Sequence, residues 1–159
     1  MHGRVTPRFY ESATVMFADF QGFTQLTERM DPKGLVEQLD QFFFAFDEIT
    51  GRQRLEKLKT IGDAYMCAGG LPEVQRTHPV DACLAALELQ DYMSRANQQR
   101  ERLRLPRWEL RIGLHTGSVM AGVVGRRKFT YDIWGDAVNV AARMEAAGNA
   151  GCIKYEAVH

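Results

Sequence analysis

Two aspartates, each set beside a glycine after a strand-like apolar run, constrain this chain more than any other feature. The first is Asp19 in Val15-Met-Phe-Ala-Asp19-Phe-Gln-Gly22-Phe-Thr24. The second is Asp63 in Leu58-Lys59-Thr-Ile-Gly62-Asp63-Ala-Tyr-Met66. Both runs are too apolar for ordinary surface loops. A carboxylate at the end of a buried strand costs free energy unless something pairs with it. Two such carboxylates brought together repel unless a cation sits between them, and hard oxygen ligands suit Mg²⁺ or Mn²⁺. Gly22-Phe23-Thr24 then opens a helix-like stretch, where free backbone N–H groups can face an anion.

The rest of the pattern gives a mixed fold. Ala13 to Ala18 reads as a buried strand. Asp31-Pro32 starts a helix, with aspartate as N-cap and proline in the first turn. Leu35, Leu39, Phe42, Phe46 and Ile49 make its apolar face, and Gly51 closes it. Leu55 to Thr60 and Ala64 to Ala68 form a strand pair around the Gly62-Asp63 turn. Pro79 begins a long helix with Val80, Cys83, Leu84 and Leu87 on one face. Leu110 to Leu114, Val119 to Val124 and Phe129 to Ile133 read as three strands. Ala137 to Ala147 is a helix stopped by Gly148, and another strand follows. The order strand, helix, strand, strand, helix, strand is the ferredoxin-like βαββαβ core of an α/β (α+β) sandwich.

Composition narrows the function classes. The 159 residues suffice for one domain with one core. Lysine plus arginine equals aspartate plus glutamate at 20 each, against the basic excess of bulk nucleic-acid binders. No apolar run reaches membrane-span length and no signal peptide is visible. Cys67, Cys83 and Cys152 lack metal-like spacing and read as reduced cytosolic thiols, two of them in the core. Residues 1–12 read as a linker and strand lead-in, and 13–159 as the domain.

The four blocks Phe17-Ala-Asp19-Phe-Gln-Gly22-Phe-Thr24, Lys59-Thr-Ile-Gly62-Asp63-Ala-Tyr, Gly113-Leu-His-Thr-Gly117 and Tyr131-Asp132-Ile-Trp-Gly135-Asp136-Ala-Val-Asn139-Val-Ala-Ala-Arg143-Met resemble the catalytic domain of class III nucleotide cyclases. The resemblance implies the cyclase and polymerase-palm architecture. It also implies that the chain is a cut from a longer protein, lacking C-terminal strands that bear a triphosphate-binding lysine.

By that resemblance Asp19, Asp63 and the Phe20 carbonyl bind two Mg²⁺ or Mn²⁺ ions. Gly22, Phe23 and Thr24 cradle phosphate, and Arg127 touches the triphosphate. Lys59 and Asp132, with Ile133 beside them, read the base. A lysine donates to N1 of adenine and an aspartate accepts from its 6-amino group; guanine reverses both. Asn139 positions the ribose, and Arg143 stabilises the pentavalent phosphate through the charge developing on its oxygens. His115 reads as structural, the Phe42–Phe46 phenylalanines as core, and Trp134 as packing beside the base pocket.

The resemblance implies a head-to-tail homodimer with shared active sites, converting ATP to 3′,5′-cyclic AMP and pyrophosphate. It also implies a cytoplasmic location, an upstream sensor in the parent chain, and no membrane contact by this segment. The alternatives are a guanylyl or diguanylate cyclase, or a catalytically weak nucleotide-binding dimerisation module.

Overall fold

The computed structural model describes residues 6–157. Met1 to Arg4 and the final two residues, which enter the reading of both ends as cuts, lie outside them.

The chain runs β1 (Arg8–Gln21), α1 (Phe23–Arg29), α2 (Pro32–Arg52), β2 (Glu56–Ile61), β3 (Ala64–Gly69), α3 (His78–Arg102), β4 (Glu109–Val124), β5 (Thr130–Trp134), α4 (Asp136–Ala146) and β6 (Ile153–Ala157). The strand order is β2-β3-β1-β4-β5, with β6 pairing β4 in parallel. The first four strands give the order β2-β3-β1-β4, all antiparallel, which is the expected ferredoxin-like arrangement.

Two strands are longer than their hydrophobic runs. β1 starts at Arg8 and not Ala13, because Arg8, Phe9 and Tyr10 pair with Ala121, Met120 and Val119. The two strands expected over Leu110–Leu114 and Val119–Val124 are one continuous β4, since Gly117 pairs with Ala13 and leaves no turn. A bulge between Tyr10 and Ala13 shifts the register of this long pair, and bulges bend and twist a ribbon.

Alternation along the strands divides the core in two. Met16, Ala18, Phe20, Tyr65, Cys67, Leu110, Ile112 and Leu114 face α2 and α3. Ala13, Val15, Met66, Ala68, Val119 and Ala121 lie on the other side, with Ala137 and Ala141 of α4. The α2 face is as read: Leu35, Phe42, Phe46 and Ile49 are buried and Leu39 is half-buried. Asp31 caps that helix through Gly34 N–H at 3.1 Å, and the helix passes Gly51 to end at Arg52.

The α3 face is not as read. Val80 and Leu87 are about 60% exposed and Leu84 is 45% exposed, while Ala82, Ala85, Ala86, Leu89 and Met93 are buried. The small alanines let the helix come close to the sheet, and this overrides the greasier stripe. Of the cysteines only Cys67 is fully buried; Cys83 is half-buried and Cys152 exposed. Trp134 is exposed rather than packed. Phe44 is also exposed, while Phe42 and Phe46 are core as expected. Among the described residues, no helix is long and apolar enough to cross a membrane.

Candidate active site

The end of β1 and the β2–β3 turn bring the two aspartates together. The Phe20 ring anchors the strand end, meeting Trp108 edge-on at 5.1 Å between centroids and Phe42 at 5.6 Å. Trp108 is itself fixed by Asn97, whose amide donates to the Trp108 carbonyl and accepts from its N–H. With Phe20 turned into the core, Asp19 points to the opposite face. Pairing of β1 with β3 stops at Ala18 and Tyr65, so the Phe20 N–H is left for Asp63 Oδ2, which accepts it at 3.2 Å. Gly62, at φ 59°, makes the turn that returns Asp63 to this point.

The carboxyl of Asp63 is held above its ordinary range, chiefly by burial; the N–H groups of Phe20 and of Asp63 itself pull it down, and the charge of Asp19 pushes it up. Arg111 of β4 lies directly across from Asp19 in the register. Its Nε is 3.3 Å from Asp19 Oδ1 and 3.3 Å from Glu145 Oε2, and its Nη1 donates to the Ala146 carbonyl at 3.4 Å. The Nε hydrogen bond goes to Asp19; Glu145 Oε2 is in ion-pair range without one. Burial, then the neighbouring Asp19, push the Glu145 carboxyl up to about 8.

Arg111 and Glu145 escaped the sequence reading. The signals were present. Arg111 sits between two buried residues of β4, Leu110 and Ile112. Glu145 follows Ala137 and Ala141 at four-residue steps on the buried face of α4.

These groups suit a divalent cation. Asp19 and Glu145 share the one Arg111 guanidinium, and with the Glu145 carboxyl pushed up to about 8, Asp19 and Asp63 are the carboxylates left to face an ion. Among the described residues no three His, Cys, Asp or Glu side chains are arranged to hold an ion by themselves. Two carboxylates with the Phe20 carbonyl form an incomplete hard-oxygen set, the kind Mg²⁺ completes with water and substrate phosphates. Beside it, Gly22 at φ 75° opens α1, whose first N–H groups precede the Leu26 N–H to Gly22 carbonyl bond. Thr24 is exposed there, while Phe23 packs on Trp108.

A second cluster forms where β2 meets β5. Lys59 Nζ donates to Asp132 Oδ2 at 2.7 Å. Asp132 Oδ1 accepts the Ile133 N–H at 2.8 Å, which fixes the carboxylate plane. The Asp132 side chain is 12% exposed and that of Lys59 38%. Ile133 is buried in the core beneath.

The other expected residues stand apart. Asn139 and Arg143 are exposed on the outer side of α4, opposite Ala137, Ala141 and Glu145. Arg127 is exposed in the turn after β4, at the other end of that strand from Arg111. His115 is buried. Cavities of about 480 and 450 Å³ lie along the start of β1 and include none of these side chains.

The adenylate and guanylate cyclase catalytic domain model matches residues 5–157. An adenylate cyclase of Mycobacterium tuberculosis is 43% identical over 145 residues, covering 91% of this chain and 32% of that protein. Human guanylyl cyclase C is 40% identical over 148 residues, covering 92% of this chain and 14% of its own length. This chain thus spans a third or less of the length of these curated relatives. Among solved structures, the catalytic core of a rhodopsin-guanylyl cyclase with converted specificity, in complex with ATPαS, superposes with a TM-score of 0.85 at 36% identity. That match covers 94% of this chain and 79% of the other.

Proposed function

Because this chain belongs to the family of adenylate and guanylate cyclase catalytic domains, we propose that it is an adenylyl cyclase. In this reading it converts ATP to 3′,5′-cyclic AMP and pyrophosphate in a homodimer with shared active sites. The observation that carries the choice of base is the Lys59–Asp132 pair, an ammonium and a carboxylate 2.7 Å apart. A donor beside an acceptor matches N1 beside the 6-amino group on the adenine edge. Lys59 has three donors, so it can keep Asp132 and still reach N1. Guanine would set its N1–H against the ammonium and its O6 against the carboxylate. A site built for one hydrogen-bond pattern rejects the other strongly.

Asp19, Asp63 and the Phe20 carbonyl hold the ions, Mg²⁺ or Mn²⁺. When bound, the metals supply charge neutralisation at phosphate and a more acidic ribose 3′-hydroxyl for in-line attack on the α-phosphorus. Gly22, Phe23 and Thr24 offer backbone N–H groups to phosphate oxygens. Asn139 orients the ribose, Arg143 meets charge growing on the phosphoryl oxygens, and Arg127 steadies the triphosphate. The outward aim of Asn139 and Arg143, away from their own chain's carboxylates, supports a site completed by a second copy.

The deciding experiment supplies the purified domain with Mn²⁺ and either ATP or GTP at several protein concentrations. Cyclic AMP formation that exceeds cyclic GTP formation, with specific activity rising with concentration, is expected. A preference for GTP would overturn the base assignment.

A further inference from the structure

Helix α4 has two working faces. Its inner face lies on β4 with almost nothing between. A Cβ on Gly113 would stand 2.0 Å from the backbone nitrogen of Glu145, and one on Gly117 would stand 3.2 Å from Ala137 Cβ. The helix is therefore seated at both ends on glycines of one strand. At its C-terminal end Arg111 donates to the Ala146 carbonyl and lies 3.3 Å from Glu145 Oε2, while also donating to Asp19. Its outer face carries Asn139 and Arg143 into solvent.

Resting on the shared-site reading above, we infer that α4 couples the two active sites of the dimer. Glu145 acts as a positioning residue, tying the helix to Arg111 beside its own chain's carboxylates, while Asn139 and Arg143 serve the other site. In such a dimer the carboxylates of one chain and the α4 of the same chain belong to different sites. Any rearrangement of Asp19 and Arg111 at the first site is passed through Glu145 and Ala146 to the residues working at the second. The link is a helix seated on β4 along its length and tied at its C-terminal end by Arg111, a contiguous packed network of the kind through which coupling between sites passes.

The test isolates one site. One chain carries Arg143→Ala and keeps its carboxylates. The other carries Asp63→Ala and keeps Lys59, Asp132, Asn139 and Arg143. All turnover in their mixture comes from the single intact site of the mixed dimer. Glu145→Ala is then added to the Asp63→Ala chain, whose own carboxylate site is already dead. The expected result is a fall in kcat of about 10-fold with a smaller change in KM, as a displaced catalytic group gives. Arg111→Ala in that same chain should act alike, and the two together should be no worse than one. Arg111→Ala removes no atom of α4 itself, so it keeps the test decisive if Glu145→Ala does not fold. Mn²⁺ titration of the Arg143→Ala chain by electron paramagnetic resonance reads the inner end without turnover. There Glu145→Ala should change the affinity several-fold.

Unchanged turnover, strictly additive losses, or an unmoved Mn²⁺ affinity each overturn the coupling. If the two parent chains restore no turnover when mixed, the shared-site reading has failed, and the coupling falls with it.

Discussion

Lys59 and Asp132 stand on the two outermost strands of the β2-β3-β1-β4-β5 run, yet Lys59 Nζ lies 2.7 Å from Asp132 Oδ2. Two edges of one sheet meet only if the sheet curls, and the bulge between Tyr10 and Ala13 lies in the long β1–β4 pair that must bend. The Lys59 end is solvent-exposed but the Asp132 end is buried, so both members are replaced together and no unpaired buried charge is left behind. Replacing the pair should therefore leave the fold intact. Lys59→Glu with Asp132→Cys is expected to lose most ATP turnover and gain some with GTP. An unaltered ATP-to-GTP ratio in kcat/KM would remove the pair from base selection.

Asp63 should be a metal ligand that burdens the metal-free fold. Its carboxyl is held above the ordinary range, so the folded state takes up a proton more readily than the unfolded chain. Such a group costs stability once pH rises past its unfolded value. Asp63→Asn is expected to cut turnover by at least about 100-fold while raising the melting temperature of the metal-free domain at pH 7. Scanning calorimetry with chelator present checks this; a lowered melting temperature would make Asp63 a structural residue.

Asp19→Ala and Arg143→Ala should each be nearly inactive alone. Mixed in equal amounts with free exchange, about half the dimers are mixed, and half the sites in those are intact. About a quarter of wild-type turnover should return. A mixture no better than its parts, with exchange proven by labelled subunits, would place the whole site in one chain.

Gly113→Ala should be among the most damaging single changes. The added methyl meets backbone atoms of Glu145, which cannot rotate away. Overpacking of this kind costs about 1–3 kcal/mol or more, and here it also lifts the helix bearing Asn139 and Arg143. A urea midpoint and a kcat both close to wild type would contradict the close seating of α4.

His78 should set part of the acid limit of stability. Its Nδ1 is 2.7 Å from Thr14 Oγ1 and its Nε2 3.1 Å from Ser12 Oγ. Burial holds its pKa below the ordinary 6.5, partly opposed by Asp81. The unfolded chain therefore protonates first, and stability falls as pH drops below about 6.5 until the folded value is passed. His78→Asn should flatten that limb in urea midpoints taken from pH 5.5 to 7.5. An unchanged slope would show that other groups control it.

Much of this was legible in the residues because the informative patterns are local. A carboxylate beside a glycine at the end of an apolar strand announces both its geometry and its cost, and Asp63 does return to the end of β1, where it accepts the Phe20 N–H next to Asp19. Asp31-Pro32 capped its helix for the same local reason. What stayed hidden depends on distant partners. Periodicity marks Arg111 and Glu145 as lying on unusual faces, but that they face each other shows only once β4 and α4 are stacked. The continuity of β4 through Gly117 is set by its partner strand and not by its own hydrophobicity. The curl that joins β2 to β5 has no mark in either strand.

Ala82, Ala85 and Ala86, each fully buried where α3 meets the sheet, have a consequence for how this chain can change over generations. A larger side chain at any of them would have to push the helix away from the sheet, whereas Val80, Leu84 and Leu87 outside can be exchanged freely as far as packing is concerned. Lineages of this domain should therefore drift on the greasy side of α3 and stand still on its small side. That is the reverse of what hydrophobicity alone would lead one to expect.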